Sequence, residues 1–155
     1  MPVLAKNKRA IFNYELIEKY EAGLVLSGPE VKSIKAGQVS LKGSYISLRP
    51  QKNKSLPEPY LISSYVSWYK PAGDSSDYKA DQPRKLLVKK AETKRLLGKK
   101  QEQGLTLIPL KLYTKHSLIK LEFALVRGKK KYDKRETIKK REVERQMRTL
   151  TKGKA

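Results

Sequence analysis

Apolar and polar residues alternate most cleanly late in the chain. Thr106, Ile108, Leu110 and Leu112 form one series, and Ile119, Leu121, Phe123 and Leu125 form another. A period of two marks strands with one buried face. Thr114-Lys115-His116-Ser117 between them predicts a hairpin. Earlier, Tyr14 to Tyr20 mixes apolar and charged residues as a half-exposed strand would, and Leu24 and Leu26 alternate with Val25. Val39 to Leu48 reads as a strand whose phase changes beside Gly43, the mark of a bulge or bend. Tyr60 to Tyr69 is rich in β-branched and aromatic residues and predicts another strand.

Helical signals are fewer. Ser27-Gly28-Pro29-Glu30 reads as a helix start, with Pro29 in the first turn, and the helix should end near Gly37. Arg84 to Leu97 predicts a second helix closed by Gly98. The basic Lys6-Asn7-Lys8-Arg9 reads as loose chain, and the polar stretch Pro71 to Pro83 as the most mobile loop. Strands, two short helices and bend-forming glycines together predict a mainly β protein: an OB-like closed β-barrel with flanking helices and a basic C-terminal tail.

Charge adds a partner to this picture. The 155 residues carry a formal net charge of +21, an excess that favours a polyanionic partner. No apolar run approaches the roughly 20 residues of a membrane span. The opening MPVLAKNKRAIF lacks a signal-peptide apolar stretch, so the expectation is a cytoplasmic protein without a membrane partner. Cysteine is absent and histidine occurs once, at His116. That composition leaves no thiolate site and no paired-histidine chemistry, and predicts no catalytic residue, metal or cofactor. A hairpin-turn histidine reads as a surface residue.

The charge is unevenly spread. Residues 127–155 hold 13 basic and 4 acidic side chains, net +9, whereas residues 1–126 hold 23 and 11, net +12. The chain therefore divides into a body, 1–127, and a basic tail, 128–155. In the tail, Asp133 and Glu136 resemble a helix-starting pair. Glu136–Lys140 and Glu144–Arg148 are favourably ordered i,i+4 pairs. Ile138, Val143, Met147 and Leu150 make no continuous stripe, and such a helix is marginal in water. The expectation is disorder when free and helix when bound, with a plain solvated tail as the alternative.

Five segments then appear in a telling order: Asn7-Lys8-Arg9-Ala10, Glu21-Ala22-Gly23-Leu24, Gly28-Pro29-Glu30-Val31-Lys32-Ser33, Arg84-Lys85-Leu86-Leu87 and Gly128-Lys129-Lys130-Lys131-Tyr132-Asp133-Lys134-Arg135. The ordered set resembles the SmpB family, the SsrA-binding proteins of bacterial trans-translation, from Asn7 to Arg145. The resemblance implies a monomeric OB-like body that binds the tRNA-like domain of transfer-messenger RNA (tmRNA, SsrA RNA). It further implies delivery of alanyl-tmRNA, with elongation factor Tu and GTP, to stalled 70S ribosomes. The tail would enter the small-subunit decoding centre and the empty mRNA channel, enabling peptide tagging and rescue.

The resemblance also implies residue roles. Glu30 and Lys32 would belong to the tmRNA-contacting surface, the carboxylate accepting hydrogen bonds from base edges or ribose 2′-hydroxyls and the lysine meeting phosphate; Glu30 is alternatively a plain helix-N-terminal charge. Arg84, Lys85 and Leu87 would lie near the same surface, with Leu87 equally readable as core. Lys129 and Lys130 would grip backbone, and Lys8 and Arg9 would contact phosphate. In the tail, Tyr132 would stack on ribosomal bases or merely flank a solvated run. Lys131, Asp133, Lys134 and Arg135 continue the family motif, and Lys139, Arg141 and Arg145 would hold the channel by phosphate contacts. The chain departs from the family pattern at Gln82, where an arginine is common, at Lys35 and at Thr93. A basic structural protein of the ribosome and an RNA-processing enzyme are the competing readings.

Overall fold

The computed structural model describes residues 2–100 and 105–128. In chain order the elements are β1 (Val3–Lys6), α1 (Lys8–Asn13), β2 (Tyr14–Leu24), α2 (Gly28–Lys35), β3 (Val39–Ser40), β4 (Tyr45–Arg49), β5 (Glu58–Ile62), β6 (Tyr65–Val66), a 3-10 turn (Lys70–Ala72), β7 (Arg84–Leu87), α3 (Lys90–Lys100), β8 (Leu105–Lys115) and β9 (Leu118–Gly128). Seven strands form one antiparallel sheet in the order β1-β8-β9-β2-β7-β5-β4, and β3 pairs with β6 in a separate ribbon.

The mainly β class with short helices holds, but the sheet is open where a closed barrel was expected. Its ladder begins at β1 and ends at β4. The cause lies at Gly43, whose positive φ of 75° breaks the predicted Val39–Leu48 strand. Val39 and Ser40 are diverted to pair with Val66 and Tyr65, so β4 is left as a five-residue terminal strand. Ser63, also at positive φ, splits the predicted Tyr60–Tyr69 strand into β5 and β6 in the same way.

The β8–β9 hairpin forms as its alternation predicts. His116 and Ser117 sit at its tip with φ of 51° and 66°, the twist a two-residue hairpin requires. Leu121, Phe123 and Leu125 of β9 face the main core, where they meet Leu61, Leu86, Ile34 and Leu96. In β8 the phase differs from expectation, because the register shifts between Pro109 and Lys111. Leu107 and Leu112 enter the main core, while Ile108 joins Ala10, Ala124 and Val126 in a second cluster. Ala10 comes from α1. Of the segment expected to be loose, Lys6 ends β1, Asn7 is the cap, and Lys8 and Arg9 begin a helix that packs Ala10 against β8 and β9.

The second helix starts later than the sequence predicts. Arg84–Leu87 is strand: Gly23 pairs with Leu87 and Tyr60 with Lys85. Partners on both sides override the helical tendency of Arg-Lys-Leu-Leu. α3 begins at Lys90, and Gly98 lies inside it rather than beyond it. Only Thr93 and Leu96 of this helix are buried. Its outer turns are tied to β2 instead, where Glu18 accepts from Arg95 at 2.8 Å and also from Lys99 and Tyr20. Those bonds, the Lys99 one foremost, draw the Glu18 carboxyl down to about 2. Burial and the bond to Glu18 push Tyr20 up to about 12. Among the described residues, no helix is long and apolar enough to cross a membrane.

Candidate nucleic-acid interface

α2 begins as its sequence predicts. Ser27 is the N-cap, and the capping box is complete: the Ser27 amide donates to Glu30 Oε1 at 3.0 Å, and the Glu30 amide donates to Ser27 Oγ at 3.4 Å. The other carboxylate oxygen of Glu30 points inward. It accepts from Arg84 Nε at 2.6 Å and from the Gln82 amide at 3.2 Å. Glu30 is 4% exposed and Arg84 2%, so the structure brings these two predicted RNA contacts together beneath the surface. This corrects their expected position. A buried guanidinium needs a partner for each donor, and Arg84 finds them. Its Nη1 donates to the Ser64 carbonyl, Ser64 Oγ and the Gln82 carbonyl at 3.0–3.1 Å. Its Nη2 donates to the Ala80 carbonyl at 2.9 Å and the Tyr78 hydroxyl at 3.3 Å.

Burial alone pushes the Glu30 carboxyl up, but the bonds from Ser27, Arg84 and Gln82 outweigh it and hold the group below the ordinary carboxylate range. Glu30 is thus an anion whose work is internal. It locks the start of α2 to β7, and through Arg84 to the chain between Tyr78 and Gln82. The stretch expected to be the most mobile loop is anchored at this end. Tyr78 adds a 2.6 Å bond from its hydroxyl to the Val66 carbonyl. Gln82, where the family often has arginine, spends its amide on Glu30 rather than on an outside phosphate.

Strand periodicity then decides what faces out. With Arg84 and Leu86 inward, β7 turns Lys85 and Leu87 the other way. Leu87 is 54% exposed, which settles its alternative reading as core. Gly23, opposite Leu87, leaves room: a Cβ there would stand 3.4 Å from the Leu87 Cβ and 3.7 Å from Lys120 Nζ. Leu87 and Lys120 therefore flank a stretch of backbone with little side chain on it. Nearby, Lys85 Nζ lies 3.3 Å from Glu58, which also binds Lys54 at 2.8 Å. Lys54, Lys85, Lys89 and Lys90 line a groove of about 740 Å³ whose walls include Leu87 and Pro57. Four lysines, one acid and an apolar floor suit a sugar–phosphate backbone with an unpaired or partly exposed base.

Lys32 is exposed on α2, two residues beyond the buried Glu30, with Lys35 one turn further. Lys8 and Arg9 are exposed in the first turn of α1. That turn is fixed, because the Asn7 side-chain amide donates to the Pro109 carbonyl at 3.0 Å and the Asn7 backbone amide to the Leu110 carbonyl at 2.8 Å. Lys6, Lys8, Arg9 and Lys42 line one shallow pocket there. Lys42 and Lys120 were not singled out by the sequence. Each is a lone lysine between apolar residues, and only the folded neighbours give it meaning. Thr93, the third departure, is buried with its hydroxyl bonded to the Lys89 carbonyl at 3.2 Å. The expected tail contacts Lys129, Lys130, Lys131, Tyr132, Asp133, Lys134, Arg135, Lys139, Arg141 and Arg145 lie outside the described residues.

Known proteins match this chain along almost their whole length. The chain is 43% identical over 150 residues to the SsrA-binding protein of Trichodesmium erythraeum, covering 97% of this chain and 92% of that protein. It is 46% identical over 153 residues to the SsrA-binding protein of Pseudothermotoga lettingae, covering 98% of each. A solved structure described as "tmRNA-SmpB: a journey to the center of the bacterial ribosome" superposes with a TM-score of 0.64 at 39% identity, covering 89% of this chain and 95% of that one. The SmpB protein family model matches residues 4–153, a span that includes the buried Glu30–Arg84 tie, the outward face of β7 and the basic C-terminal segment alike, and the chain belongs to that family.

Proposed function

We propose that this chain binds the tRNA-like domain of tmRNA and brings it to stalled ribosomes in trans-translation. The observation that carries the reading is the two-sided β7 strand. Arg84 fixes it from within, and Lys85 and Leu87 are presented outward beside Gly23 and Lys120. A rigid surface of this kind recognises a folded RNA by shape, with lysines meeting phosphate and Leu87 meeting a base or ribose face. Lys32, Lys8 and Arg9 extend the same task to α2 and α1. Glu30 and Arg84 serve it as positioning residues. An OB-like arrangement of the open sheet around its main core suits this task, with no reacting group needed.

The tail has a separate task. Residues 128–155 enter the decoding centre and empty mRNA channel of the 70S ribosome, where the segment becomes a helix whose basic side chains are held by ribosomal phosphates. Lys129 and Lys130 grip RNA backbone at the start of the tail, and Tyr132 stacks on exposed bases. Lys131, Asp133, Lys134 and Arg135 continue the entry motif, and Lys139, Arg141 and Arg145 line the channel. The chain acts as a cytoplasmic monomer in company with alanyl-tmRNA, elongation factor Tu and GTP. Deleting residues 128–155 tests the division of labour. Binding to tmRNA, read by gel shift, should persist while peptide tagging on stalled ribosomes is lost. Collapse of both together would show that body and tail are one binding unit.

A further inference from the structure

A second surface, away from β7, has a different chemistry. The β3–β6 ribbon and the 3-10 turn after it frame a cleft of about 670 Å³. Tyr65, Trp68 and Tyr69 line it, together with Ala36 at the end of α2, Val39 and Lys70. Tyr65 is 53% exposed. Among the described residues, no aspartate or glutamate lines the cleft. Lys70 supplies a cation at its edge, so the cleft is apolar and aromatic beside a positive charge.

Trp68 is held rather than loose. Its indole N–H donates to the Gly73 carbonyl at 2.9 Å, and its ring meets the Tyr78 ring at 5.0 Å between centroids. Tyr78 is itself anchored to Val66 and Arg84. The wall behind is fixed too, since the Ser67 amide donates to the Gln38 carbonyl at 3.1 Å and the Val66 amide to the Ala80 carbonyl at 3.0 Å. A large aromatic surface left partly open costs solvation unless something covers it. In a chain of net charge +21, a cover that brings its own negative charge is favoured. An unpaired nucleotide supplies both a flat π-face for the rings and a phosphate for Lys70.

We infer that the Tyr65–Trp68–Tyr69 cleft is a stacking site for an unpaired base of RNA, separate from the shape-reading surface of β7. The inference rests on the RNA-binding reading and deepens it, adding a single-stranded element to the RNA that the body holds. Stacking is tolerant of base identity, so the site selects unpaired nucleotides over duplex.

Trp68 is the chain's one tryptophan, so its fluorescence reports on this cleft alone. The full chain is titrated with a short unstructured oligoadenylate, with an abasic oligomer of equal length and phosphate count, and with a folded tRNA-like RNA. The expected result is a fluorescence change with oligoadenylate that the abasic oligomer does not give. Oligoadenylate should also bind about tenfold more tightly than the abasic oligomer, the scale of one stacked base. Tyr65→Ala, which keeps the reporter, should reduce both differences, and Trp68→Phe should retain more of the affinity preference than Trp68→Ala. Equal binding and equal fluorescence with the two oligomers would overturn the inference. So would an unchanged preference in a Trp68→Ala protein that keeps its circular dichroism. Failure of the tRNA-like RNA to bind would instead overturn the RNA-binding reading itself.

Discussion

At the scale of single residues, Glu30 and Arg84 show how a binding motif can be buried. Removing one member of a buried, bonded pair strands the other, at a cost of about 3–5 kcal/mol. Glu30→Gln should therefore lower stability by about 3 kcal/mol in urea unfolding at neutral pH, with loss of RNA affinity following from displacement of β7. The pH dependence gives a second measure. Because the Glu30 carboxyl is held below its ordinary range, its contribution is full above the ordinary carboxylate range of the unfolded chain. That contribution is lost as pH falls through the lower folded value. The stability gap between native and Glu30→Gln proteins should hold constant above about pH 5 and narrow as pH falls below about 4. The cap role of Glu30 was legible from Ser27 and Pro29, since capping is local in sequence. Its bond to Arg84 was not, because 54 residues separate them and nothing in either segment announces the other.

Elements show the same division between local and distant causes. The β8–β9 hairpin was legible because its alternation and its turn lie within one stretch. Its tip still carries unfavourable backbone, as His116 and Ser117 both hold positive φ without being glycine. Ser117→Gly should relieve this and raise stability by about 1 kcal/mol, seen as a higher Tm with the same spectrum. β7 was misread as helix because four residues with good helix propensity carry no sign of the strands on either side. α1 was missed for a related reason. Among its described side chains, Ala10 is the buried one, packed against Ile108, Ala124 and Val126, too little to create a visible period. Leu96, wholly buried under α3, is the anchor its neighbours lack. Leu96→Ala should cost about 2–5 kcal/mol, and hydrogen exchange should show the opening concentrated in α3.

For the molecule as a whole, charge sets the conditions under which shape recognition operates. With +21 on 155 residues, affinity for a tRNA-shaped RNA should fall at least tenfold, roughly, between 50 and 200 mM salt. A filter-binding series on the full chain and on residues 1–127 measures this directly. Body recognition predicts that the shortened chain keeps most of the salt slope on tRNA-like RNA. The competing reading as a structural protein of the ribosome predicts retention on ribosomes through high-salt washing. The basic surplus and its division between body and tail were visible in the sequence. The open sheet was not, since closure depends on whether β3 joins β4 or leaves with β6, and one glycine decides that.

The sheet order also fixes when this protein can fold. β1 pairs with β8, and β2 pairs along most of its length with β9. The first strands to leave the ribosomal exit tunnel thus await the last. Until β9 emerges, β2 has its short pairing with β7 at Gly23 and Leu24, and much of its length is an unsatisfied edge. Folding is then a late, long-range event that waits on β9. A chain released before residue 118 has no β9 at all. It would be left with a bare template strand and a core stripped of Ile119, Leu121, Phe123 and Leu125, a species for proteolysis or aggregation rather than a partly working protein.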